Sequence, residues 1–293
     1  GQQYVAAEGW DPAALADTMD ALTRAQELAG GRDPNQMSFF DSHPTTPERA
    51  REGRDYAATL TVAPTDPIAA GRNGFVQRLD GLVVGDSAKG GVFVGDRFVH
   101  PELDFTLGFP AGWDHENTPN AVLAVPKDES AILALQLVAE GDDPAAVADE
   151  IATQAELTER STTQINGLPA VRAIARIVDQ GQEIVFSLTW IAKDNLVYQV
   201  LGATTPARWS EHRPAFEATA ATFRSPSKAE LEGVYEDRLR LVAARRGETL
   251  SAVIKRAASQ WSAKRAAAAN AMKVNDGLQS DTLIKVSKRE RYP

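Results

Sequence analysis

The feature that most constrains this 293-residue chain is a change of apolar period near Val92. Before it, Leu15, Met19 and Leu22 fall at i, i+4 and i+7, the stripe of an amphipathic helix. Asp11-Pro12 offers an N-cap followed by a proline at the first helical position, and Gly30-Gly31 offers a stop. Thr46-Pro47-Glu48-Arg49 starts a second, charged helix that runs to about Leu60. From Val92 the period becomes two, with strand-like runs at Val92–Val99, Phe105–Phe109, Ala121–Val125 and Ala131–Val138. Asp143-Pro144 caps a helix expected to reach about Thr158, and strands follow at Ala170–Val178, Glu183–Ile191 and Leu196–Ala203. Val171, Ala173, Ala175 and Ile177 alternate with Arg172 and Arg176, which predicts one buried and one wet face. A helix over about Ser210–Phe223 closes this region. Strands, helix, strands, helix define an α+β fold with an antiparallel sheet covered by helices.

After Pro226 a strand at Leu239–Ala243, two Ala-rich helices and a strand at Leu283–Val286 make a small βααβ module. The expected domains are therefore residues 1–62, mostly helical, then 63–91, a linker with a short helix, then 92–225 and 226–293. Pro64, Asp66, Pro67, Gly71 and Gly74 mark the linker. Charge divides the chain in the same place. Residues 226–293 carry 14 Lys and Arg against 8 Asp and Glu, while the whole chain has a formal net charge of −9. The acidic remainder argues against nucleic acid as a partner.

Composition excludes several chemistries. With no cysteine there is no disulfide scaffold, Cys-ligated zinc finger, iron–sulfur cluster or thiol nucleophile. No apolar run is long enough for a transmembrane helix, and no basic, then apolar, leader opens the sequence. Gly1-Gln2-Gln3 run directly into a helix, as expected of a chain that begins inside a domain. Of four histidines, His115-Glu116 is followed by Pro119 where a zinc-peptidase helix needs its second histidine. Gly-x-Ser-x-Gly, Walker and dinucleotide glycine motifs are absent. His43, in Asp41-Ser42-His43-Pro44, is held extended by the following proline just before a helix start. It reads either as a turn or capping histidine or as a metal-proximal one. Phe109, Trp113, Trp190 and Tyr198 read first as core.

Three stretches carry family resemblances. Tyr4 to Pro12, with Gly9-Trp10-Asp11-Pro12, and then Ser42-His43-Pro44-x-x-Pro47-Glu48-Arg49 resemble the end of the catalytic domain in Ste-type, BepA-like zinc metallopeptidases. That resemblance implies a zinc endopeptidase of the bacterial cell envelope or periplasm, acting on protein or peptide substrates. It also implies that the two-histidine zinc helix and a Glu-x-x-x-Ala-Asp helix belong before Tyr4. This stretch alone then lacks the catalytic site, with His43 placed as a possible additional, inhibitory zinc ligand. Phe98-Val99-His100-Pro101 through Trp113 and the sheet after it resemble a PsbP-like domain, a type that docks ligands or proteins. Arg246-Gly247-Glu248-Thr249-Leu250-Ser251, Ala269-Asn270-Ala271, Asn275-Asp276-Gly277-Leu278 and Leu283–Val286 resemble LysM, a peptidoglycan-binding module. That resemblance implies glycan contacts at Gly247, Glu248, Thr249, Leu250, Asn270 and Asn275. Asp281 stands where LysM has glycine, and Ser287 where it has its terminal proline. Read without the resemblance, Thr249 is an N-cap with Leu250 and Val253 in a core. The alternative function is a non-catalytic wall-binding or protein-binding scaffold.

Overall fold

A computed structural model describes residues 1–28, 47–69, 71–179 and 181–293. His43, its Ser42-His43-Pro44 motif and the Gly30-Gly31 stop lie outside the described residues. The chain forms two compact units, one from Gly1–Gly85 with Asp237–Glu290, the other from Asp86–Glu236 with Arg291–Pro293.

The first unit opens with helices α1 (Gln2–Ala7), α2 (Ala14–Leu28), α3 (Pro47–Ala57) and α4 (Gly71–Gln77). The Asp11 carboxylate accepts from the Ala13 N–H at 2.8 Å, satisfying a donor ahead of α2. Of the expected stripe Met19 and Leu22 are half-buried, but Leu15 is exposed and its neighbour Ala16 is fully buried. Small residues make this contact, because Ala16 packs toward Gly53 of α3. The Gln2 amide, itself buried, donates to the carbonyls of Pro12 and Gly53 and so joins three segments.

The βααβ part follows the expected order: β11 (Tyr235–Ala243), α8 (Leu250–Arg256), α9 (Ala263–Asn270) and β12 (Leu283–Arg291). Thr249 caps α8 by accepting from Ala252 N–H, and Ser262 caps α9 by accepting from Arg265 N–H. Leu250, Val253, Ile254, Trp261, Ile284 and Val286 fill the core between helices and strands. Its sheet recruits a segment that reads as linker in the sequence. Gly81 N–H donates to the Leu239 carbonyl, Leu239 N–H to Leu82, and Val84 N–H to Asp237.

The second unit begins with an antiparallel three-stranded sheet, β1 (Val92–Val94), β2 (Arg97–His100) and β3 (Phe105–Gly108). The single strand expected over Val92–Val99 is thus a hairpin, turned at Gly95 with φ +61°. The main sheet has seven antiparallel strands in the order β4-β5-β6-β10-β9-β8-β7. They are β4 (Asp114–Asn117), β5 (Val122–Val125), β6 (Ala131–Glu140), β7 (Leu157–Ile165), β8 (Leu168–Asp179), β9 (Gln182–Lys193) and β10 (Leu196–Thr204). Helix α5 (Pro144–Ala152) connects β6 to β7, α6 (Trp209–Ala221) follows β10, and α7 (Lys228–Glu232) comes last. The expected α+β architecture, an antiparallel sheet flanked by helices, is therefore present.

Both faces of the main sheet are covered, which corrects the one-wet-face reading of β8. Val171, Ala173, Leu188, Trp190 and Val197 pack with Ala148 of α5. On the opposite face Leu133, Leu135, Ala170, Ile191 and Val200 pack with Phe216 and Ala220 of α6 and with Phe98 and Phe105. A strand buried on both sides loses clean alternation. The alternation fails at Ile177 as well, which is exposed beyond the reach of α5. Gly202 on β10 is where α6 comes closest: a Cβ there would lie 2.2 Å from Phe216 Cγ. Phe109, Trp190 and Tyr198 are buried and Trp113 packs partly buried against the same core, as expected of core aromatics.

Candidate functional site

The six residues implied as glycan contacts fall into two groups. Gly247 N–H donates to the Leu278 carbonyl and Leu278 N–H to the Glu248 carbonyl, while Thr249 pairs with Gly277 in a β-bridge. The loop entering α8 and the loop after α9 therefore run side by side. Gly247, with φ +75°, makes the turn that an L side chain rarely allows. Ala271, left-handed at φ 53°, ends α9 and sends the chain into the second loop. Asn275 and Gly277 lie exposed on that loop, and nothing stands within 4 Å of a Cβ added at Gly277. The result is a small polar surface of backbone groups and one free amide side chain.

The other side chains are already occupied. The Arg256 guanidinium grips both Glu248 oxygens at 2.8 Å, and Arg245 N–H donates to the same carboxylate. Arg256 first, and the Arg245 amide second, hold the Glu248 carboxyl down to about 2. Leu250 is fully buried core. Asn270 is buried, and its amide donates to the Ala266 and Lys285 carbonyls while its oxygen accepts from Lys285 N–H. That amide staples α9 to β12. Thr249 spends its hydroxyl on the α8 cap. Asp281, the glycine departure, adopts φ +65°, the conformation a glycine would take there. Ser287 sits fully buried, its N–H donating to Ser259 and its carbonyl accepting from Gln260.

Among the described residues histidine chemistry does not assemble. Among the described residues no group of three His, Asp or Glu side chains is placed to hold a metal. His100 Nδ1 accepts from Leu103 N–H at 3.1 Å, which leaves the proton on Nε2. His115 stacks on Phe93 at 4.5 Å with its Nε2 buried. The described residues do not fit a catalytic zinc ion, which needs three protein ligands and an open position. His212 Nε2 lies 2.8 Å from Ser130 Oγ, the spacing of a nucleophile and its base. Ser130, however, donates to Asp128 at 2.7 Å, and Arg208 binds both Ser130 and Asp128. The hydroxyl proton is committed to the carboxylate, so the group works as a clasp between β6 and α6. Lys193 is a second clasp: its buried ammonium lies between Asp104 and Asp194, and Ser225 donates to Asp104. Burial disfavours the ammonium, but the Asp194 and Asp104 partners outweigh it and leave its pKa raised.

No family profile matches the chain, and no curated protein does. Several solved structures resemble part of it. A protein from Bacteroides thetaiotaomicron has 14% identity over 52% of this chain and a TM-score of 0.36; the match spans 55% of that protein's length. The cyanobacterial PsbP of Synechocystis has 16% identity over 49% of this chain and 99% of its own, with a TM-score of 0.36. LpqN of Mycobacterium tuberculosis, described as involved in cell envelope biogenesis, has 12% identity over 56% of this chain and 100% of its own, at 0.29. Among the described residues no helix is long and apolar enough to cross a membrane.

Proposed function

We propose that this chain is the accessory, substrate-holding and wall-binding region of a zinc metalloendopeptidase of the bacterial cell envelope. Proteolysis belongs to a zinc helix expected before Tyr4, with His43 as the candidate additional zinc ligand that the resemblance implies. The observation that carries the wall-binding part is the pairing of Gly247-Glu248-Thr249 with Gly277-Leu278. Two loops zipped by their backbones present the Asn275 side-chain amide and the open Gly277 position side by side, which suits a polar, uncharged glycan better than a charged or apolar ligand. In this reading Asn275 and the backbone of Gly277 make the contacts, while the paired Gly247 amide, Leu250 and Asn270 keep the loops in place.

Co-sedimentation with purified, insoluble peptidoglycan tests this. The chain should pellet with the wall, Asn275→Ala should weaken that, and Gly277→Trp should abolish it by covering the surface. The tryptophan has open space at its Cβ, so folding should survive. An unmodified chain that stays in the supernatant overturns the glycan assignment.

The second reading is a non-catalytic scaffold of the same location, for which the occupied histidines and the zipped loops serve as well. The gene decides between the two. A His-Glu-x-x-His helix encoded ahead of Tyr4 supports the peptidase region, and its absence supports the scaffold. Casein cleavage by the present chain in zinc, abolished by a chelator, would contradict both.

A further inference from the structure

Beneath α6 a row of polar side chains crosses three strands of the main sheet. Ser161 of β7 pairs in register with Arg172 of β8, and Arg172 pairs with Thr189 of β9. Residues opposite one another in an antiparallel sheet share a face, and Ser187, two residues from Thr189, shares it too. These four line a cavity of about 180 Å³, closed by Glu159, Arg213 and Glu217.

Two features set this cavity apart from the clasps described above. Arg172 makes no ion pair or hydrogen bond among the described residues, and its Nε is buried without a partner. Ser187 and Thr189, 7% and 3% exposed, border the same cavity and bring two hydroxyl groups to its lining. Buried donors are ordinarily satisfied, and leaving a charged one unpaired is costly. The neighbouring arginine is different. Arg213 is fully engaged, its Nη2 on Glu159 at 2.7 Å and its Nε on Glu217 at 2.7 Å. Glu159 is placed by a bulge in β7, where the register with β8 shifts and its φ is +50°. Arg176 also lies close enough to act on Glu159.

We propose that this cavity is a binding site for a small monoanionic carboxylate, with Arg172 as its anchor and Ser161, Ser187 and Thr189 as hydroxyl donors. The planar guanidinium fork matches a carboxylate, taking both oxygens at once. A volume of 180 Å³ equals roughly six waters, room for an acetate-sized or slightly larger acid. The lining also carries the carboxylates Glu159 and Glu217, which repel a dianion more than a monoanion, so a carboxylate is preferred to phosphate. The site is independent of the wall-binding surface and of any peptidase activity.

The test uses the full chain and three salts at matched ionic strength: sodium acetate, inorganic phosphate and chloride. Ligand-observed NMR titration of the acetate methyl signal should saturate, with phosphate competing more weakly and chloride not at all. Arg172→Met should weaken acetate binding by about tenfold or more, the loss of a charge-assisted pair. In chloride the same variant should melt no lower than the parent, since it removes a half-buried arginine whose Nε has no partner. Thr189→Val keeps shape and volume and should weaken acetate binding severalfold while leaving melting in chloride nearly unchanged. Acetate that never saturates, phosphate that binds more tightly, or both variants binding acetate like the parent would each overturn the proposal.

Discussion

At Glu248 a single carboxylate ties the loop that enters α8 to Arg256 of that helix. Its folded pKa of about 2 lies below the ordinary glutamate value of 4.5, with Arg256 the main cause. A depressed carboxyl stabilises the fold fully above its unfolded pKa and loses that contribution as pH falls toward the folded one. Between about pH 4.5 and 2, then, protonation of Glu248 should weaken the fold. Glu248→Gln should lower the melting temperature at pH 7 and flatten the acid limb of a melting-temperature profile. An unchanged acid limb would show that the pair with Arg256 is not kept in solution. Asp281 permits a simpler test. Its left-handed φ of +65° costs a non-glycine residue roughly 1 kcal/mol. Asp281→Gly relieves that strain but gives the unfolded chain more freedom. Chemical denaturation should therefore find it neutral to slightly stabilising, whereas Asp281→Val should destabilise.

Individual elements were legible where a local signal forced them. Asp143 caps α5 through the Ala145 and Ala146 amides, and Thr249 caps α8, both as the sequence implies. Strands β4 and β7 were not legible. Asp114-His115-Glu116-Asn117 and Leu157-Thr-Glu-Arg-Ser-Thr-Thr-Gln-Ile165 are polar edge strands with little buried face, so hydrophobic periodicity has nothing to report. For the same reason the helix expected to reach Thr158 stops short: α5 ends at Ala152, and Leu157 already begins β7. Arg172 was legible only as a wet-face residue, because alternation cannot say that a helix lies over that face. The packing of α6 on β10 supplies the prediction at this scale. A methyl at Gly202 would overlap Phe216, itself fully buried, so neither can yield cheaply. Gly202→Ala should cost about 1–3 kcal/mol by chemical denaturation, and Gly202→Ala with Phe216→Leu should recover part of it.

For the molecule as a whole, the sequence marks a boundary near Pro226 by charge and composition, yet residues 81–84 pair with β11 from the far side of it. Backbone pairing between distant segments leaves no trace in a local pattern, and Leu79 and Val84 pack on the βααβ core without a motif to announce them. Two compact units with separate cores should give calorimetry two resolvable transitions. Leu250→Ala, which empties a fully buried position, should lower one of them by about 2–5 kcal/mol. Gly202→Ala should lower the other. A single transition moved by both substitutions would show that the units unfold together.

The same long-range pairing fixes an order of events on the ribosome. Arg238 donates to the Gly81 carbonyl across 157 positions of sequence. At about 5–20 residues per second, Gly81 waits roughly 8–30 s for that partner to be synthesised. In the interval the whole of the seven-stranded sheet emerges, its strands ending at Thr204 and its α6 helix at Ala221. The sheet-bearing unit is thus made as an insertion, and the N-terminal helices remain an unfinished half until Asp237–Glu290 arrive. A chain ended after Glu236 and released from the ribosome should carry a protease-resistant sheet behind a protease-sensitive N-terminus.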